Sequence, residues 1–289
     1  MGKSAVLFVN TYKKNATEAA EKIKKELENR GVDITVFSFE KKPSKPPVKK
    51  WDIAFSLGGD GTVLYTARNL APLGVPILPV NLGTLGFIAE VDMDDWLSVF
   101  QKWEKGEIIV SRRCMLEISV ERDSEIIMKT SCLNDAVISY TGIAKLIRLD
   151  VVLESIINNE SSQTALGSYR CDALIIATPT GSTAYSMAAG GPILDPEMEA
   201  VILNPVCPFT LANRPFVLTS RQTIKVTVAE GQRTDVLLTI DGQDPFTLKC
   251  TDKLIIKQAP DPVLLLFAGK SAYYSALRNK LFWSGGVHA

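Results

Sequence analysis

A chain of 289 residues, 46% hydrophobic and 22% charged, carries enough apolar material for two layered cores. Lys plus Arg equals Asp plus Glu at 32 each, so the net charge is zero and the basic excess that drives binding to duplex DNA or RNA is missing. One histidine, His288, and five cysteines without a Cys-x-x-Cys pair exclude Ser-His-Asp and Cys-His catalysis and histidine-rich zinc sites. The thiols are expected to be reduced and half-buried. Chemistry is left to carboxylates, hydroxyls, amides, Lys, Arg and a borrowed metal ion.

The first apolar run, 5–9, is too short for a signal-peptide core and reads as a strand buried on both faces. No stretch approaches the ~20 apolar residues of a membrane span, so the expectation is a cytoplasmic protein without a membrane partner. A helix is predicted over 17–29, with Ala20, Ile23 and Leu27 on one side and Gly31 as its stop. Strands follow at 34–39, 53–57 and 77–80, with a lysine- and proline-rich loop at 41–50. A helix begins near Thr62, and another covers 93–103. Alternation of this kind predicts a parallel, doubly wound sheet.

From residue 108 the pattern changes to short, β-branched segments at 115–120, 125–130, 134–139, 146–153, 174–177, 223–228, 236–240 and 254–257. The fold class is therefore an α/β, Rossmann-like N-terminal domain followed by an all-β, sandwich-like C-terminal domain. A strand at 263–267 and a helix at 271–281 return to the first domain. The expected division is 1–107 plus about 262–289 for the α/β domain and 108–261 for the β domain.

The sharpest local signal is Gly58-Gly59-Asp60-Gly61-Thr62, between a buried strand and a helix. Ligands of open α/β sheets bind outside the carboxyl ends of the strands, where this turn lies. Its glycines permit positive φ and let amides approach a phosphate, a helix N-terminus favours the anion, and Asp60 stands among them. Asn81-Leu82-Gly83-Thr84-Leu85-Gly86-Phe87 repeats the arrangement after the next strand. No Gly-x-Gly-x-x-Gly follows the first strand. Gly269-Lys270-Ser271 mimics the end of a Walker A loop, but Leu264 stands where its first glycine belongs. In the β domain, Thr178-Pro179-Thr180-Gly181-Ser182-Thr183-Ala184-Tyr185-Ser186 gathers hydroxyls that suit a base or ribose, and a ring that can stack.

These segments resemble the NAD kinase family over most of the chain. Gly58 to Thr62 alone is shared with diacylglycerol and sphingosine kinases and, with Ser at the end, with phosphofructokinases. Asn134-Asp135, Asp172, Gly190-Gly191-Pro192, Asn213-Arg214-Pro215 and Ile240-Asp241-Gly242-Gln243 narrow it. The resemblance implies phosphoryl transfer from ATP or polyphosphate to the adenosine-ribose 2′-hydroxyl of NAD, with Mg²⁺ carried on the donor phosphates. A lipid kinase and a non-catalytic NAD(P)-binding regulator are the alternatives.

By the same resemblance Asp60 is the catalytic base, and Gly58, Gly59, Gly61 and Thr62 form the phosphate loop. Gly61 also contacts the substrate. Asn134 and Asp135 bind adenosine, and Asp172 meets the nicotinamide end. Thr183, Ala184, Tyr185, Ser186, Met187 and Ala188 line the pocket, making the β domain the NAD-binding one. Lys145, Arg170, Thr180 and Gln243 add contacts. Family members commonly have His where this chain has Phe209, and many have Glu at Asp135. The resemblance also implies a homodimer or homotetramer.

Overall fold

An apolar strand that must bury both faces needs helices on each side, and the first third of the chain supplies them in alternation. The computed structural model describes residues 2–40, 45–47, 49–83, 86–89, 91–141, 146–157, 160–210, 212–232, 235–243, 245–267 and 270–281. In chain order the first segment gives β1 (Ser4–Asn10), α1 (Ala16–Asn29), β2 (Asp33–Phe39), β3 (Ile53–Gly58), α2 (Asp60–Leu70), β4 (Ile77–Asn81), β5 (Val91–Asp92), α3 (Trp96–Glu104) and β6 (Val110–Arg113). The second gives β7 (Leu116–Arg122), β8 (Glu125–Cys132), β9 (Asp135–Tyr140), β10 (Ile147–Ile157), β11 (Glu160–Cys171), β12 (Ala173–Ala177), α4 (Tyr185–Ala188), β13 (Ala200–Val206), β14 (Phe216–Thr219), β15 (Thr223–Val228), β16 (Val236–Ile240), β17 (Phe246–Leu248) and β18 (Lys253–Gln258). The last described elements are β19 (Val263–Leu266) and α5 (Lys270–Leu281).

Two compact units result: Met1–Arg112 with Pro262–Ala289, and Arg113–Asp261. The first is built on the sheet β2-β1-β3-β4-β19-β6, with β5 beside β4; β1 through β4, β5 and β19 pair in parallel. Ala5, Leu7 and Val9 face Ala20, Ile23 and Leu27 of α1 and Trp96, Val99 and Phe100 of α3 in one cluster. Phe8, pointing the opposite way, meets Tyr65 of α2 at 6.1 Å between ring centroids. Helices therefore cover both faces.

The second unit is two antiparallel sheets, β11-β10-β15-β18-β7-β8 and β14-β13-β12-β9-β16-β17. Leu116, Ile118, Val226 and Leu254 of one share a continuous core with Ile138, Leu174, Leu203 and Leu238 of the other, the arrangement of a sandwich. Burial pushes the Cys114 thiol up to about 11 and the Cys171 thiol up to about 12; Cys132 is also buried, while Cys207 and Cys250 are exposed. No helix among the described residues is long and apolar enough to cross a membrane.

Several boundaries differ from the sequence expectation. Helix α2 begins at Asp60, two residues earlier, since a carboxylate in the first turn complements the helix dipole. Helix α3 begins at Trp96, because 91–92 pair as β5 and a turn follows. Strand β6 still belongs to the first sheet. Strands β11, β13, β14 and β17 were not expected: β11 is a mostly exposed edge without apolar alternation, and β13 contains Asn204 and Pro205. β14 pairs with β13 only as far as Leu203, so Pro205 breaks no bond on that side. Part of the 41–50 loop (41–44 and 48), with Gly269, lies outside the described residues.

Candidate active site

In the first unit, β1, β3 and β4 run parallel and end together at Asn10, Gly58 and Asn81. The glycine turn leaves β3 there, but none of Gly58, Gly59 or Gly61 has positive φ, contrary to the sequence reading; Gly59 sits at φ −118°. Gly58 is required for space. A Cβ on it would lie 2.2 Å from Thr62 Oγ1, which also takes a 3.3 Å bond from Asn10 Nδ2. A Cβ on Gly61 would meet nothing within 4 Å, leaving that amide approachable.

Asp60 is held tightly. Its Oδ1 accepts the amides of Ile88 (3.2 Å) and Ala89 (2.9 Å), and its Oδ2 accepts that of Phe87 (3.0 Å). Gly86 is the consequence, since a Cβ there would stand 1.8 Å from Asp60 Oδ1. Asn81 closes the neighbouring turn on itself by two 3.1 Å bonds with the backbone of Gly83. Thr84 and Leu85 of that motif lie outside the described residues.

In the second unit a cleft of about 410 Å³ is lined by Asn134, Asp135, Val137, Ser139, Ala184, Tyr185, Thr239, Asp241 and Gly242. Asp241 organises it. At φ +49°, a left-handed conformation that Asp tolerates, it turns its carboxylate back on the start of β9 and accepts the amides of Leu133 (3.1 Å), Asn134 (2.8 Å) and Asp135 (3.2 Å). Its own amide returns a 3.0 Å bond to Asp135 O. Asp135 is only 4% exposed, and burial together with the Asp241 charge pushes its carboxyl up to about 7.

The Thr178–Ser186 segment leaves β12 and packs against Asn134. Gly181 has no room for a Cβ, which would come within 2.1 Å of Asn134 O. Thr178 Oγ1 bonds Leu133 O and accepts Gly181 N, and Thr178 N donates to Asn134 O at 2.8 Å. Of the segment, Ala184 and Tyr185 line the cleft. Thr180, Thr183 and Ser186 are buried, with Thr183 Oγ1 bonded to Thr180 O. Met187 is half-buried and Ala188 exposed on α4.

Asp172, Arg170 and Phe209 gather at the far end of β12. Asp172 N donates to Val206 O, Phe209 N donates to Arg170 O, and the Arg170 guanidinium lies 4.6 Å from the Phe209 ring centre. Gln243 follows Asp241 in the turn, its amide on Ile240 O at 3.0 Å. Lys145 lies outside the described residues. Sequence reasoning quoted Asp241 without giving it a task. An acid directly before a glycine, at the end of a strand paired with the Asn134-Asp135 strand, is the signal that could have found it.

Two family models match: an ATP-NAD kinase N-terminal domain over residues 44–108 and an ATP-NAD kinase C-terminal domain over residues 133–266. The chain belongs to the NAD kinase family. It is 39% identical over 284 residues to an NAD kinase of Treponema denticola, spanning 98% of this chain and 97% of that one. It is also 40% identical over 232 residues to an NAD kinase of Geobacter sulfurreducens, spanning 80% and 78%. Among solved structures, a yeast NADH kinase complexed with NADH superposes with a TM-score of 0.85 at 22% identity, covering 99% of this chain and 89% of that one. An Archaeoglobus fulgidus NAD kinase in complex with ATP gives 0.70 at 23%, covering 94% and 96%. This NAD kinase thus shares the fold of both.

Proposed function

We propose that the enzyme transfers a phosphoryl group from ATP, with polyphosphate as the other candidate donor, to the 2′-hydroxyl of the adenosine ribose of NAD, giving NADP. The observation that carries the reading is the Asp60 carboxylate, aimed by three amides at the sheet edge where the glycine turn leaves backbone open. Phosphoryl transfer has a loose transition state, so positioning and charge neutralisation carry most of its catalysis. The amides of the 58–62 turn and the N-terminus of α2 would hold the donor phosphates. Asp60 Oδ2, with one amide bond, has a lone pair left for the hydroxyl proton as the ribose oxygen bonds phosphorus and the donor's bridging oxygen departs.

Asn10 Oδ1 at this edge is a hard donor of the kind that takes a water of a hydrated Mg²⁺ and would hold it that way, leaving the free lone pair of Asp60 Oδ2 to the hydroxyl proton. When bound, the ion spreads the charge of the donor phosphates. In the second unit Tyr185 would stack on the adenine while Asn134 and Asp135 take the adenosine. Asp172 and Arg170 would take the nicotinamide half, with Gln243 and Lys145 as further contacts. The five residue steps from Asp172 to Ala177 at the end of β12 span roughly 16 Å, a separation that suits the two ends of a dinucleotide.

Asp60→Asn tests the assignment. General-base help is worth about 10² to 10⁴-fold, so kcat should fall at least that far while NAD affinity is largely kept. Thermal melting controls for loss of the 86–89 clamp. A folded variant with more than half of normal turnover overturns the role of Asp60.

A further inference from the structure

We infer that Asn204, which is not part of the cleft lining, is a positioning residue that sets the Tyr185 wall of the cleft. The inference rests on the NAD-site reading given above. Strand β13 reads Ala-Val-Ile-Leu-Asn-Pro-Val and is buried almost throughout; Asn204 is 0% exposed, opposite Ile175 of β12. An amide in such a place is costly unless it is hydrogen-bonded. Its Nδ2 donates to Ser186 O at 2.9 Å and to Ser186 Oγ at 3.2 Å. Its Oδ1 finds no partner among the described residues, so the donor is what the site uses.

Ser186 is the second residue of α4, four residues long and too short to hold its own shape. The two residues before Ser186, Ala184 and Tyr185, line the cleft, and Tyr185 is 48% exposed. Ser186 O also accepts Gly191 N at 2.8 Å, so one carbonyl is fixed from the strand side and from the loop side. Gly191 closes the arrangement. A Cβ on it would fall 2.3 Å from Ser186 Oγ and 2.7 Å from Asn204 Nδ2. Asn204, Ser186 and Gly191 therefore interlock, and the depth and rotation of α4, and with them the ring, follow from Asn204.

Two variants reach the same contact from opposite sides: Asn204→Leu removes the donor while keeping four side-chain heavy atoms branched at Cγ, and Gly191→Ala wedges the pair apart. Steady-state kinetics would be run with NAD varied at saturating ATP and with ATP varied at saturating NAD, beside thermal melting and amide exchange across 185–191. Each variant should raise KM for NAD about tenfold, the scale of one weakened base–aromatic stack, and speed exchange in that peptide. KM for ATP should stay unchanged and kcat within about threefold, a split that a purely structural defect does not produce. Tyr185→Ala placed on Asn204→Leu should add little. If KM for NAD and exchange are unmoved in the folded variants, or if both KM values rise together, the inference is wrong. Should Asn204→Leu fail to fold, Gly191→Ala decides. A wild-type enzyme that makes no NADP would refute the substrate reading instead, and the exchange measurement would still judge Asn204.

Discussion

Replacing Asp135 by Asn should stabilise the second unit, and increasingly so as pH rises. Asp135 is 4% exposed beside Asp241, and its carboxyl stands at about 7 when folded against an ordinary 3.8. Asp135 is the one raised, by burial first and then by the charge of Asp241, whose carboxylate accepts three amides. Folding then takes up a proton between those values, and stability falls as pH rises from about 4 to about 7 before levelling off. A gap of roughly 3 pH units corresponds to about 4 kcal/mol at pH 8 and under about 2 kcal/mol at pH 5. Asn copies the shape of the neutral acid and removes the cost. Urea unfolding followed by far-UV circular dichroism should show the advantage of Asp135→Asn growing by roughly 2 to 3 kcal/mol between pH 5 and pH 8. All four tryptophans fall in the first unit's residue range, so their emission is the internal control and should not respond. A pH-independent difference, or a variant less stable at pH 8, would refute the reasoning.

Two glycines give sharp tests. Gly86→Ala forces a Cβ onto Asp60 Oδ1 and must swing the carboxylate off its three amides. A misplacement of that size should lower kcat about 10²-fold with a small change in melting temperature, read by kinetics beside calorimetry. Gly181→Ala meets backbone, Asn134 O at 2.1 Å and Asn134 C at 2.5 Å, which cannot yield as a flexible side chain does. It should cost about 1–3 kcal/mol or more in unfolding free energy and raise KM for NAD, because the displaced residue is Asn134.

What was legible in the sequence was whatever buries a face or breaks a pattern. Residues 5–9 announced a buried strand because no polar residue interrupts them, 53–57 did so with the small Ser56 as its one polar residue, and Gly31 stops α1 with the positive φ of +75° that such a stop requires. Strand β11 was silent because an edge strand exposed over most of its length needs no alternation there and buries only Tyr169 and Cys171 near its end, and β13 was masked by Asn204 and Pro205. The 58–62 turn was found for its composition but misread in its physics. Its glycines serve close approach rather than left-handed backbone, and that depends on Thr62 packing back over Gly58. Asp241 was quoted without a role and Asn204 was passed over because each acts on residues distant along the chain, Asp241 on Leu133 and Asn134, 108 and 107 residues away, and Asn204 on Ser186, 18 residues away.

The most direct test is a single assay: purified enzyme with NAD, ATP and Mg²⁺, and product read by a dehydrogenase specific for NADP. A Mg²⁺-dependent signal from this mixture, carried over to polyphosphate in a parallel run or restricted to ATP, is the predicted result and identifies the donor. No NADP from either donor, by a protein that still binds NAD, would contradict the account and leave a dinucleotide-binding protein without the transfer.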